Sequence, residues 1–128
     1  MENYVYKATV DSIYDGDTMT CTIDCGFGVH LAKQKVRLFG INTPEVRGVE
    51  KIEGKKSRDA VREKVLGKDI LLKTIKDKKG KYGRYLGIIY IQEGDSQINI
   101  NDWIIENNYG EKANYWKKLI KLKYILLE

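Results

Sequence analysis

The chain has one proline, one histidine and two cysteines among 128 residues, and each scarcity closes off a class of chemistry. With His30 as the only imidazole, a histidine general base or a multi-histidine metal centre is nearly excluded. Cys21 and Cys25 lack the CxxC spacing and the clustered histidines of a zinc site. Four positions along one strand separate them by roughly 13 Å, beyond disulfide reach, so both read as reduced structural thiols. No apolar run approaches the ~20 residues of a membrane span, and no membrane partner is expected. The first residues, Met-Glu-Asn-Tyr-Val-Tyr-Lys, lack the basic-then-apolar layout of a signal peptide. A cytoplasmic protein is expected if Met1 is the natural start, and a secreted one if a leader has been removed ahead of it.

What is present describes an ordinary globular domain. Hydrophobic residues make up 42% and charged residues 32% of the chain, as in soluble proteins generally. The length suits one domain, residues 1–128, with one core, and a monomer is expected. The formal net charge is +5 and the pI about 9.1. A basic balance suits a polyanionic partner such as nucleic acid or an acidic membrane surface, although plain solvated basic proteins share it.

The most informative stretch is Lys35-Val-Arg-Leu-Phe-Gly-Ile-Asn-Thr-Pro-Glu45. Its apolar run reads as a strand, closed by the chain's sole proline, Pro44. Proline pushes the residue before it, Thr43, toward an extended conformation. Arg37 inside that strand demands an anionic partner, because an unpaired buried guanidinium is very costly. Glu45 and the upstream Asp15-Gly16-Asp17-Thr18 are the candidates by type. Elsewhere, strands are predicted over 4–13, 18–23, 29–39, 70–75 and 85–91, with Gly26-Phe27-Gly28 as a hairpin connection. Residues 46–53 read as a charged loop and 77–83 as a basic, glycine-punctuated one. Helices are predicted over about 55–66 and 98–107, and a basic amphipathic one over about 115–127. The expected fold class is α+β, mainly β: a five-stranded OB-fold barrel with about three helices, closed so that no edge is left exposed.

Several side chains have the chemistry of a phosphodiester site. Asp17 and Asn42 offer oxygen ligands from different strand ends, which suits a hard cation, Ca²⁺ or Mg²⁺. Arg37 and Arg84 match phosphate oxygens through forked hydrogen bonds. Glu45 follows a rigid proline and can orient or deprotonate water. Lys81, Tyr82, Tyr115 and Trp116 can grip a phosphate and stack bases. Each piece has an ordinary alternative. Asp-Gly-Asp is a common turn, Lys81-Tyr82-Gly83-Arg84 makes a hairpin tip, Arg37 and Glu45 make a structural ion pair, and a lysine-rich tail makes a solvated helix face.

The order and spacing of Asp15-Gly16-Asp17-Thr18, Arg37-Leu-Phe-Gly-Ile-Asn-Thr-Pro-Glu45 and Lys81-Tyr82-Gly83-Arg84-Tyr-Leu-Gly resemble the staphylococcal nuclease family. Weaker echoes are Gly48-Val-Glu-Lys51 and Asn101-Asp102. The resemblance spans roughly residues 5–116. It implies an OB-fold barrel and a Ca²⁺-dependent nuclease acting on DNA and RNA with little sequence specificity. It also implies cleavage of the 5′ P–O bond, leaving 3′-phosphates. On that resemblance Asp17 is a metal ligand, joined by Asn42 and by the backbone carbonyl of Thr43. Arg37 and Arg84 clamp the scissile phosphate, Glu45 acts on the attacking water, and Lys81 and Tyr82 contact a neighbouring phosphate. Tyr115 is the candidate for base stacking. Mg²⁺ and Mn²⁺ are the alternatives to Ca²⁺. The departure is Asn42, which stands where the family has a second metal carboxylate and predicts weaker metal binding. The competing expectation is a non-catalytic OB-fold module that binds nucleic acid or protein, and a purely structural basic domain ranks last.

Overall fold

A computed structural model describes residues 4–80 and 82–113, with the backbone alone at 76–78. The shortest path into the fold is β2 (Thr18–Asp24). Its strict alternation sends Met19, Cys21 and Ile23 inward and leaves the threonines between them half buried. β1 (Val5–Asp15) buries Ala8 and Val10, then changes parity to bury Ile13. The register against β2 shifts between Val10 and Ser12, where an inserted residue turns the following side chains to the other face. β3 (His30–Leu38) is exposed along its outer half and buries only Val36 and Leu38. β5 (Asp69–Lys79) and β6 (Tyr85–Glu93) contribute Ile70, Leu72, Ile89 and Ile91 to the core.

These strands lie in the order β3-β2-β1-β5-β6, and β3 pairs again with β6. That second pairing is parallel, Val36 with Tyr85, Arg37 with Leu86 and Leu38 with Gly87, and it closes the five-stranded OB-type barrel the sequence predicts. The seam is tight. A Cβ at Gly87 would meet Leu72 Cδ1 at 2.6 Å and Val36 Cγ1 at 3.1 Å, so any larger residue there has to push these two core side chains aside. β7 (Ser96–Asn99) extends the sheet as the second arm of a hairpin with β6.

Helix α1 (Lys51–Val65) packs Val61 and Val65 onto the barrel. Its Arg62 donates from Nε at 3.2 Å and from Nη2 at 2.8 Å to the Ile13 carbonyl, tying helix to strand. Helix α2 (Ile100–Glu106) is capped by Asn99, whose side chain accepts from the Asp102 amide at 3.1 Å. It buries Ile100, Ile104 and, unusually, Asn101. Two short strands, β4 (Ile41–Asn42) and β8 (Glu111–Lys112), pair antiparallel beyond the barrel end.

The differences from the sequence-based expectation lie at element ends. A 3₁₀ turn at Gly48–Glu50 feeds straight into α1, so the helix begins at Lys51 rather than 55 and absorbs part of the expected loop. The helix expected from 98 begins at Ile100, because 96–99 hydrogen-bonds to β6. β5 runs on to Lys79, which pairs with Tyr85 beyond a register irregularity that starts after Thr74. The run from Val36 to Ile41 is two strands, broken where Gly40 takes φ +81°. Two α-helices are present among the described residues, and the segment expected as a third, 115–127, lies outside them. No helix of the described residues is long and apolar enough to cross a membrane.

Candidate functional site

The turn between β1 and β2 places Asp17 under the end of β3. Its backbone carbonyl accepts from the Leu38 amide at 2.8 Å. Its carboxylate accepts from the Thr43 amide at 2.8 Å and from the Thr18 hydroxyl at 3.2 Å. Arg37 reaches the same carboxylate, with Nη2 at 3.3 Å from Oδ2. The anion opposite the strand arginine is therefore Asp17, one of the candidates named by type. Arg37 Nη2 also donates to Asn42 Oδ1 at 2.7 Å, and Nη1 donates to the Leu38 carbonyl at 2.9 Å. Both members of the pair are largely shielded, with side chains 18% and 8% exposed, so Arg37 is strongly held rather than swinging in water.

Glu45 arrives on the segment after Pro44, and its amide donates to Glu50 Oε2 at 2.9 Å. Helix α1 presses against this backbone. A Cβ at Gly54 would fall 1.9 Å from the Glu45 carbonyl oxygen, so the helix approaches only because that residue is glycine. Ser57, one turn on, donates to the Tyr109 carbonyl at 2.6 Å. Arg84 precedes β6, just after the left-handed Gly83, and lies 5.3 Å from the Tyr82 ring centroid, within cation–π range.

Asp17, Arg37, Asn42, Thr43, Glu45 and Arg84 line one cleft of about 690 Å³. The structure thus brings together six of the ten residues named from the sequence. Tyr82, 71% exposed, lines the adjoining groove instead, and Lys81, Tyr115 and Trp116 lie outside the described residues. Sequence reasoning gave no metal or catalytic role to three acidic residues of the cleft: Asp15, Glu50 and Glu111. Asp15 and Glu50 belong to the sequence motifs themselves, whereas Glu111 reaches the cleft only through the β4–β8 pairing with Asn42. Burial, followed by the hydrogen bond with Asp17 and then the charge of Asp17, pushes the Asp15 carboxyl from its ordinary 3.8 up to about 6.

The cleft presents oxygen donors of the kind a hard divalent cation takes. Asp15, Asp17, Asn42 and Thr43 present only oxygen, and the Thr43 hydroxyl oxygen is buried with no hydrogen-bond partner among the described residues. Among those residues no group of three His, Cys, Asp or Glu could enclose a metal. A site of one or two carboxylates that leaves ligand positions for water and substrate phosphate matches the way Mg²⁺ is commonly held.

A closed five-stranded barrel with an arginine- and carboxylate-lined cleft at one end defines a small nuclease-like domain. A family model described as staphylococcal nuclease homologue matches residues 35–127, and the chain belongs to that family. A curated relative, "Uncharacterized protein MJ1439" of Methanocaldococcus jannaschii, is 25% identical over 126 residues. The match covers 82% of this chain and 58% of that protein, so the chain spans little more than half the length of the relative it matches.

Proposed function

We propose that the chain is a Ca²⁺-dependent nuclease that hydrolyses the phosphodiester bonds of DNA and RNA with little sequence preference. The observation that carries this reading is that Arg37, Glu45 and Arg84 line the same cleft as Asp17. The two guanidiniums, one on β3 and one just before β6, fit the equatorial oxygens of one phosphoryl group and offset the charge that grows there in the transition state. The Glu45 carboxylate accepts the proton of the attacking water. The water oxygen bonds to phosphorus, the 5′ P–O bond breaks, the departing 5′-oxygen takes up a proton from solvent, and the products carry a 3′-phosphate and a 5′-hydroxyl. Asp17, Asn42 and the Thr43 carbonyl would hold the cation, with Asp15 beside them. When bound, it supplies Lewis-acid polarisation of the phosphoryl oxygen.

The decisive assay incubates single-stranded DNA with the protein in Ca²⁺ or in chelator, with Mg²⁺ and Mn²⁺ in parallel. Chelator-sensitive cleavage is expected. Arg84→Ala should lose about 3 kcal/mol of transition-state stabilisation, a fall of roughly 10² to 10³ in kcat, as for one preorganised donor. Wild-type rates in that variant would end the assignment.

One observation favours a second reading, a non-catalytic OB-fold nucleic-acid- or protein-binding module. Arg37 Nη2 is held by Asn42 Oδ1 and Asp17 Oδ2, the oxygens a cation would use. Salt-sensitive, metal-independent binding without cleavage would decide for it.

A further inference from the structure

A second groove, of about 880 Å³, joins the cleft, because Thr18 and Arg84 line both. Its walls come from the outer face of the β1–β2–β3 meander on one side and from the segment around Arg47 with helix α1 on the other. Five cations line it, Lys35, Arg47, Arg58, Arg62 and Arg84, together with the rings of Tyr14 and Tyr82. Among the described residues no Asp or Glu lines it.

The cations are not equivalent. Arg62 is committed to the Ile13 carbonyl, and Arg58 pairs with Asp59 at 3.0 Å, so both build the wall. Lys35 and Arg47 are exposed and have no ion-pair or hydrogen-bond partner among the described residues. Tyr14 is 54% exposed. Exposed aromatic faces interleaved with unpaired cations offer bases a surface to stack on and phosphates a countercharge, whatever the sequence.

We infer that this groove is an extended binding track for single-stranded nucleic acid, in which Lys35 and Arg47 contact backbone phosphates and Tyr14 stacks a base several nucleotides from the cleft. The inference rests on the proposed nuclease reading for the direction of the strand. A duplex keeps its bases stacked on each other, so the tyrosine faces select an unpaired strand. The track explains how a cleft sized for one scissile linkage holds a long polymer.

The test is binding, measured in chelator so that cleavage plays no part, by fluorescence anisotropy with an oligothymidylate of about 20 nucleotides across a salt series. Lys35→Gln combined with Arg47→Gln removes two charges that face phosphates. That double variant should bind roughly tenfold more weakly, with the log–log salt slope reduced by about 1.4, at ~0.7 per single-strand phosphate. Tyr14→Ala should also weaken binding, by roughly tenfold, with the salt slope unchanged. The charge control is Lys55→Gln with Lys56→Gln, exposed positions on α1 outside the groove, which should bind within about twofold of wild type. Circular dichroism checks that each variant is folded. The inference is overturned if the Lys35/Arg47 double variant binds like wild type, if the control loses as much, or if a duplex of equal length binds as tightly with the same dependence. Cleavage by the wild type together with normal binding by the groove variants removes the track and leaves the nuclease. Groove-dependent binding with no cleavage under any cation keeps the track and removes the nuclease.

Discussion

Asp17 answers to four neighbours at once: the Thr43 amide, the Thr18 hydroxyl, the Arg37 guanidinium and the Asp15 carboxyl with its raised pKa. Two nearby acids offset by one arginine make a site that gains from a cation. Asn42 limits that gain, since ligand charge count tunes affinity for Ca²⁺. Asn42→Asp should therefore tighten Ca²⁺ on the order of tenfold, read by calorimetric titration, and equal affinities would refute the role given to that position. The cysteines separate at the same scale. Burial, with a smaller contribution from the charge of Asp11, pushes the Cys21 thiol up to about 12, whereas Cys25 is exposed. Only thiolate reacts with alkylating reagents. Iodoacetamide at mildly alkaline pH should modify Cys25 alone in the folded protein and both cysteines in denaturant, counted by mass spectrometry.

Helix α2 is held by a polar residue where an apolar one would be expected. Asn101 is 4% exposed. Its Oδ1 accepts from the Ile89 amide at 3.1 Å, and its Nδ2 donates to the Phe39 and Gly87 carbonyls at 2.9 and 3.1 Å. One side chain thus joins α2 to β6 and to the turn that leads from β3 into Asn42. Removing it takes that partner from the Ile89 amide and the Phe39 carbonyl, while the Gly87 carbonyl keeps the Phe39 amide; each buried group left unsatisfied costs about 1–3 kcal/mol. Asn101→Ala should lower stability by roughly 2 kcal/mol or more in urea unfolding followed by circular dichroism. A loss under about 1 kcal/mol would mean that water replaces the amide.

At the scale of the whole molecule, the barrel seam and the cleft are one construction. Gly87 lies at the parallel closure, and its carbonyl accepts from the Phe39 amide at 2.8 Å as well as from Asn101. Widening the seam therefore moves Arg37, on the strand paired there, away from Arg84 at the start of β6. Gly87→Val should cost about 1–3 kcal/mol through overpacking against Leu72 and Val36 and should depress the proposed nuclease activity more than Val36→Ala of similar ΔΔG. Equal losses of activity at equal stability would separate seam from site.

The residue pattern alone determined the five barrel strands and the two described helices, though not β7 or β8, because period-two burial in β2 and the apolar stripe of α1 are properties of consecutive residues. It also determined the motif residues, since Arg37, Asn42, Thr43 and Glu45 sit within nine positions of one another. Only the tertiary structure decided that Arg84 meets them, that Asp17 rather than Glu45 pairs with Arg37, and that Glu111 enters the cleft. Those outcomes depend on barrel closure through Gly87 and on the β4–β8 pairing. The unpartnered pair Lys35 and Arg47 was equally invisible along the chain. Whether a cation is free or paired is set by which carboxylates folding brings near it, and no local spacing encodes that.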